Sequence, residues 1–228
     1  MLQASAADGT TDRAATPHCN EQYTYDSELV EHRIAELVAH GGLQPRIHRG
    51  CEFQLSFDNI DQLLQRPATY TLNGGRYLLL ECPDIHVGRH TESVLERLMD
   101  AGVVPIMAHP ERNPHLQNSV DRLERWVDLG CLLQVTALSI TGGFGGPPRA
   151  SARKLLDRGL VHVVASDTHD PKHRHPCLSN AYAAVRRGFG EDTADLLFTD
   201  NPGCIIQDLP VAGGRVAGAA PSRRLWPF

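Results

Sequence analysis

No G-x-G-x-x-G follows any apolar run, and no G-x-x-x-x-G-K-[ST] occurs anywhere, which excludes the two common nucleotide-cradling loops. No apolar stretch approaches the roughly 20 residues a membrane-spanning helix needs. The opening Met1-Leu2-Gln3-Ala4-Ser5 lacks the basic and apolar regions of a secretory signal. The six cysteines are scattered without a C-x-x-C pair, which argues against a structural zinc site. A cytoplasmic chain with reduced thiols and no membrane insertion is therefore expected. With a net charge of −5, the chain has no basic surplus for a phosphodiester backbone, and no nucleic-acid partner is expected.

What remains is an ordinary globular composition, 41% hydrophobic and 21% charged over 228 residues, enough to bury a real core. The 12 histidines are the richer signal, because several follow apolar runs in turn-like contexts. The sharpest case is Val163-Val164-Ala165-Ser166-Asp167-Thr168-His169. A β-branched run bounded by Gly159 and polar residues reads as a buried strand. Side chains alternate along a strand, so Asp167 and His169 share a face if extended geometry continues. A capping Asp and a surface His would look the same in isolation; the rest of the chain decides.

Apolar stripes and stop signals predict helices over 26–39, 59–65, 91–101, 119–129 and 149–158. Others are expected after a loop over 170–176 and through Arg187, and over 191–198, with a last turn near 201–207. On 26–39, Leu29, Val30, Arg33, Ile34, Leu37 and Val38 form one mostly apolar stripe, and Ser119 is placed as an N-cap. Strands are expected at 46–48, 76–80, 103–107, 131–135 and 160–165. Residues 10–15 make a poor strand, with Asp12 and Arg13 where apolar residues would stand. Residues 1–9 read as the back half of a helix stopped at Gly9, 141–148 as a Gly-rich loop, and 211–228 as a disordered tail. Strand–helix alternation at this spacing predicts an α/β fold with a parallel sheet, more a barrel or near-barrel than an open sheet.

His18, Glu52, Glu81, His109, Asp167 and His169 all stand at the ends of apolar runs. In parallel, adjacent strands these side chains would converge at one mouth. Mixed imidazole and carboxylate donors suit manganese, iron, zinc or magnesium. Each alone could be a turn carboxylate or a satisfied loop histidine; the shared position favours the set. Arg112 and Arg174 follow His109 and His169 closely and would overhang the same mouth, where a guanidinium fork fits phosphate oxygens. Arginines beside clustered metals suggest phosphoester hydrolysis. His32, His40, His48, His86, His90 and His115 read as surface residues, and His162 as a core histidine.

These residues carry a resemblance. Thr16-Pro17-His18, Gly50-Cys51-Glu52, Tyr77 to Glu81, Ala108-His109-Pro110-Glu111-Arg112 and Ala165-Ser166-Asp167-Thr168-His169 resemble, in order and spacing, the PHP-domain metallophosphatases of the CpsB/YwqE capsule and exopolysaccharide type. The likeness runs from Met1 to about Pro210 and implies one domain over 1–210 with a distorted (β/α)7 barrel. It also implies divalent metals, typically manganese, and phosphotyrosine on a tyrosine autokinase tail as substrate. His18, Glu52, Glu81, His109 and Asp167 correspond to metal ligands, His169 to a ligand or an acid near the leaving group, and Arg112 and Arg174 to phosphate-holding arginines. The family's opening D-x-H-x-H strand and D-D-G turn have no counterpart in these 228 residues, so a first strand is expected to be missing. The edge left open would invite association between copies. Cys19 stands where many members carry a second His, and a thiolate there could still bind metal. Two alternatives stay open: a non-catalytic remnant that binds phosphotyrosine or the kinase, and a phosphatase for a small monoester such as histidinol phosphate.

Overall fold

The computed structural model describes residues 1–41, 45–55, 60–84 and 87–212. In chain order the elements are α1 (Leu2–Ala7), β1 (Asp12–Ala15), β2 (His18–Cys19), α2 (Ser27–Gly41), β3 (Arg46–Arg49), β4 (Glu52–Gln54), α3 (Ile60–Gln65), α4 (Pro67–Tyr70), β5 (Tyr77–Glu81), α5 (Thr91–Asp100) and β6 (Val104–Ala108). They continue as α6 (Val120–Leu129), β7 (Leu132–Thr136), α7 (Ala137–Thr141), α8 (Gly146–Asp157), β8 (Val163–Ala165), α9 (Ser179–Phe189), α10 (Glu191–Asp195) and α11 (Asn201–Ile206). Six strands form one parallel sheet in the order β2-β4-β5-β6-β7-β8, and β1 pairs in parallel with β3. This is the parallel α/β architecture that the alternation predicts.

The two faces of the sheet have different chemistry because the side-chain period is two. One face carries Phe53, Leu78, Leu80, Met107, Leu133, Val135 and Val164, packed against helix residues such as Leu95, Leu98, Leu123, Trp126, Leu155 and Val185. The other is apolar at its amino end, where Tyr77, Ile106, Leu132 and Val163 meet Leu72 and Ile205. Its carboxyl end turns polar, with Glu52, Glu81, Gln134 and Thr136 at the same parity. The edge strands β2 and β8 do not pair, yet the rings of His18 and His169 are 5.8 Å apart. The sheet is thus rolled until its ends nearly meet. A strand between them, which full barrel closure would need, does not occur among the described residues.

Several local expectations change in the folded chain. Residues 12–15 are a strand despite their polarity, because Asp12 accepts hydrogen bonds from Arg46 Nε and Nη2, each at 2.8 Å. His48, expected at the surface, is half-buried and 2.8 Å from Asp12 Oδ1. The loop expected over 141–148 is narrowed to residues 142–145: α7 ends at Thr141 and α8 starts at Gly146, with prolines in the first turn where a missing N–H costs nothing. On α2 the apolar stripe is only partly covered, since Leu29, Leu37 and Val38 remain exposed. The Ser119 hydroxyl donates to the His115 carbonyl instead of capping α6. His86, Asn59 and residues 213–228 lie outside the described residues. Among the described residues no helix is long and apolar enough to cross a membrane.

His162 is the core histidine expected, 3% exposed just ahead of β8. Its Nδ1 accepts the Leu133 N–H at 3.1 Å. Burial pushes its pKa down to about 4. The unfolded chain therefore takes up a proton near pH 6.5 that the folded chain refuses until about pH 4, so stability falls as pH drops through this window. The loss amounts to as much as about 3 kcal/mol. Urea midpoints compared between pH 7.5 and pH 4.5 should fall further for the native chain than for His162→Gln; equal falls would contradict a neutral buried imidazole.

Candidate metal centre

The strand ends deliver the donors. Register pairs His18 on β2 with Glu52 on β4, so both side chains rise on the inner face. Glu81 closes β5, His109 follows β6 and Asp167 follows β8. Single donor atoms of His18, Glu52 and Glu81 lie within 4.8 Å of one another, as do those of Glu52, His109 and Asp167. Glu52 belongs to both triads and is 4% exposed. Its Oε1 is 2.8 Å from His109 Nε2, and its Oε2 is 3.3 Å from His18 Nδ1. The second contact is close but not aligned as a hydrogen bond, which leaves the buried His18 Nδ1 without a hydrogen-bond partner. Glu81 Oε1 is 3.5 Å from His109 Nε2.

This donor set fits a cation. Burial, and then the neighbouring Glu52 carboxylate, push the Glu81 pKa up. Burial opposes the charge on His109, but the hydrogen bond to Glu52 and its Coulomb attraction outweigh it, and the net shift is upward. Converging carboxylates are unfavourable without positive charge between them. Oxygen and imidazole donors with no thiolate are the chemistry of manganese, iron, zinc or magnesium. Cys19 does not join them: it packs against the opposite, helix-covered face.

Two of these residues bend the backbone out of the usual range. His109 has φ +33 and Asp167 φ +45, conformations that cost non-glycine residues of order 1–3 kcal/mol. Each is the turn by which a strand end aims its donor into the mouth. The His109 N–H donates to Gln134 Oε1 at 3.3 Å.

Arg112 and Arg174 both hydrogen-bond Asp167 Oδ2. Arg174 is presented by a tight loop in which the Asp170 carboxylate accepts the N–H groups of Lys172 and His173 at 2.7 and 2.6 Å. Both guanidinium groups stand over the Phe144 ring, with Cζ 4.7 Å (Arg112) and 6.0 Å (Arg174) from its centroid. His169 is outside both triads. It is 40% exposed at the rim, with Nδ1 3.7 Å from Asp167 Oδ1 and 3.1 Å from the Asp167 carbonyl. The expected convergence of His18, Glu52, Glu81, His109, Asp167, His169, Arg112 and Arg174 is thus seen as one neighbourhood, with His169 at its edge.

Glu111 and Phe144 escaped the sequence reading. Phe144 lies in the stretch read as loop, and nothing local marks it as a platform for arginines. Glu111 sits inside Ala-His-Pro-Glu-Arg, a signal that could have been followed. It is fully buried, and its Oε1 accepts the Thr136 N–H at 3.0 Å and the Ser139 hydroxyl at 2.7 Å. Burial pushes its pKa up, and Oε2 has no hydrogen-bond partner. It locks the turn after β6 to the start of α7.

A rolled parallel sheet carries, at one mouth, carboxylate-bridged His donors that could hold a metal ion and an adjacent arginine pair, which makes this an α/β protein with a candidate metal centre. Comparison then places the chain. Residues 1–207 match the family described as capsular polysaccharide synthesis, CpsB/CapC, and the chain belongs to that family. It is 34% identical over 164 residues to the tyrosine-protein phosphatase CpsB of Streptococcus pneumoniae, covering 70% of this chain and 67% of that protein. It is 28% identical over 212 residues to the tyrosine-protein phosphatase YwqE of Bacillus subtilis, covering 91% and 83%. A solved chain from the crystal structures of YwqE and S. pneumoniae CpsB, described as unique metal-dependent tyrosine phosphatases, superposes with a TM-score of 0.83 at 27% identity, over 93% of this chain and 87% of that one.

Glu111→Gln keeps an acceptor for Thr136 and Ser139 and should unfold within about 1 kcal/mol of the native chain. Glu111→Ala leaves both donors unpaired and should cost about 2–3 kcal/mol. Urea midpoints at constant slope decide, and a native midpoint for the alanine variant would remove the assigned role.

Proposed function

We propose that this chain is a cytoplasmic, metal-dependent phosphatase that hydrolyses phosphotyrosine on the tail of a membrane-associated tyrosine autokinase controlling capsule or exopolysaccharide synthesis. The observation that carries the reading is the pair of donor triads sharing Glu52, set beside two arginines on one carboxylate. Manganese is the metal we assign, held by His18, Glu52, Glu81, His109 and Asp167. When bound, the metal ions acidify water to a nucleophile at neutral pH and neutralise charge on the phosphoryl oxygens.

The chain's own groups do the rest. Arg112 and Arg174 hold the phosphoryl oxygens as planar, permanently charged forks. Asp167 fixes the spacing between them, and Phe144 supports their planes. His169, at the rim, stands where it can give a proton to the departing phenolate oxygen. Its exposure suits a substrate that enters from a protein surface, because the reacting phosphate must reach the mouth while its peptide stays outside.

Turnover of a small aryl phosphate or a phosphotyrosine peptide should need added Mn2+ and stop with a chelator. His109→Ala and Asp167→Ala should abolish it. Arg112→Ala and Arg174→Ala should lower kcat/KM by about a hundredfold or more. Binding of the phosphopeptide with no turnover at any Mn2+ concentration would instead establish a non-catalytic phosphotyrosine-binding protein. Turnover confined to small monoesters such as histidinol phosphate would move the substrate class.

A further inference from the structure

The loop after β2 divides its two tyrosines between two environments. Tyr25 packs against the helix-side core, its ring 6.0 Å from that of Tyr70. Tyr23 stays out: at 52% it is the most exposed large hydrophobic side chain among the described residues. A lone exposed aromatic residue needs no explanation, but this one is held in place, and held at the mouth. The Asn20 side-chain oxygen accepts the N–H groups of Gln22 and Tyr23 at 3.0 and 2.9 Å, and the Asn20 N–H donates to the Tyr23 carbonyl at 3.0 Å. Downstream, Asp26 Oδ1 accepts the N–H groups of Glu28 and Leu29 at 3.0 Å each and fixes the start of α2.

The Tyr23 ring is stacked beside that of His18, with centroids 6.5 Å apart and planes inclined by 26°. The His18 ring in turn lies 5.8 Å from that of His169. His169 Nδ1 is 3.7 Å from the Asp167 carboxylate, which gathers Arg112 and Arg174. Three rings thus run in a row along the rim, outward from the arginine pair. His18 joins the row by its ring face, which leaves Nδ1 on the ring edge for the donor set.

We propose that Tyr23 is a specificity-determining residue that receives the aromatic ring of an aryl phosphate, so that the site prefers aryl to alkyl esters. The role in substrate choice rests on the phosphatase reading above. In an aryl ester a single oxygen joins phosphorus to the ring. A phosphoryl group held by the arginines therefore leaves that ring beside His169, at the level of the row. Aromatic pairs favour offset or edge-to-face contact with centroids about 4.5–7 Å apart. The rim rings already keep this spacing, and the open surface of Tyr23 gives an incoming ring its place. A seryl or threonyl phosphate has no π face and gains nothing there. The arginines read the phosphoryl group; the ring row reads what carries it.

The test measures binding, so it does not depend on turnover. With Mn2+ present, the full chain is titrated calorimetrically with benzylphosphonate and with ethylphosphonate. Both carry CH2 in place of the ester oxygen, and they differ in the ring. The native chain should bind the benzyl ligand about tenfold more tightly. That ratio should fall toward one in Tyr23→Ala and Tyr23→Leu and persist in Tyr23→Phe. In turnover, Tyr23→Ala should raise KM for a phosphotyrosine peptide more than it lowers kcat. Failure of the native chain to bind the benzyl ligand, equal native affinities, or a ratio that Tyr23→Ala leaves intact overturns the proposal. So does a fall in Mn2+ affinity in Tyr23→Ala with both ligands weakened alike, which would make Tyr23 a prop for the His18 ring. A Tyr23-dependent benzyl preference in a chain that hydrolyses no phosphate ester would overturn the phosphatase reading and leave the aryl-binding role supported.

Discussion

The Glu52 carboxylate is the contact on which the rest of the site depends. It is nearly buried, it touches His109 at 2.8 Å and His18 at 3.3 Å, and it stands between the two donor triads. Burying a carboxylate costs several kcal/mol unless partners repay it. Here imidazoles from two different strands do so, and each is delivered by register: β2 pairs with β4, and β6 lies two strands away across β5. The charge of Glu52 thus ties the edge of the sheet to its centre.

The arginine pair is built on the same logic, one layer out. Asp167 gathers two arginines that come from different loops, and its strained backbone turns it toward the mouth. Phe144 lies under both guanidinium groups, which holds them in plane without using up their donors. Glu111 secures the turn after β6 from beneath. Strain at His109 and Asp167 is tolerated because neighbours on all sides over-determine their positions.

Because strand residues alternate, the donors have a second set of neighbours on the far side of the sheet. His18 and Glu52 face the mouth, while Cys19 and Cys51 face the helix-covered side beside Tyr25, Tyr70 and Phe53. The edge position of β2, paired on one side only among the described residues, leaves it freer to slide than a central strand.

Much of this was legible in the linear chain. Apolar runs of about five residues ending in His, Glu or Asp marked β5, β6 and β8 and their candidate donors, since hydrophobic burial and period-two alternation act locally. The same physics showed the class of fold, and the ordered motifs carried the resemblance to the family. What could not be read were features made by distant residues. The polar strand Asp12–Ala15 exists because Arg46 and His48 come to Asp12. Phe144 gains its role only when Arg112 and Arg174 meet above it. The exposed apolar residues of α2 look core-forming in sequence, and only packing shows that no described element covers them. Donor identity was determined by residue order, since a strand end dictates which side chain stands at the mouth. Donor partnership and protonation were decided by tertiary structure, because Coulomb and hydrogen-bond energies depend on distances that only the rolled sheet creates.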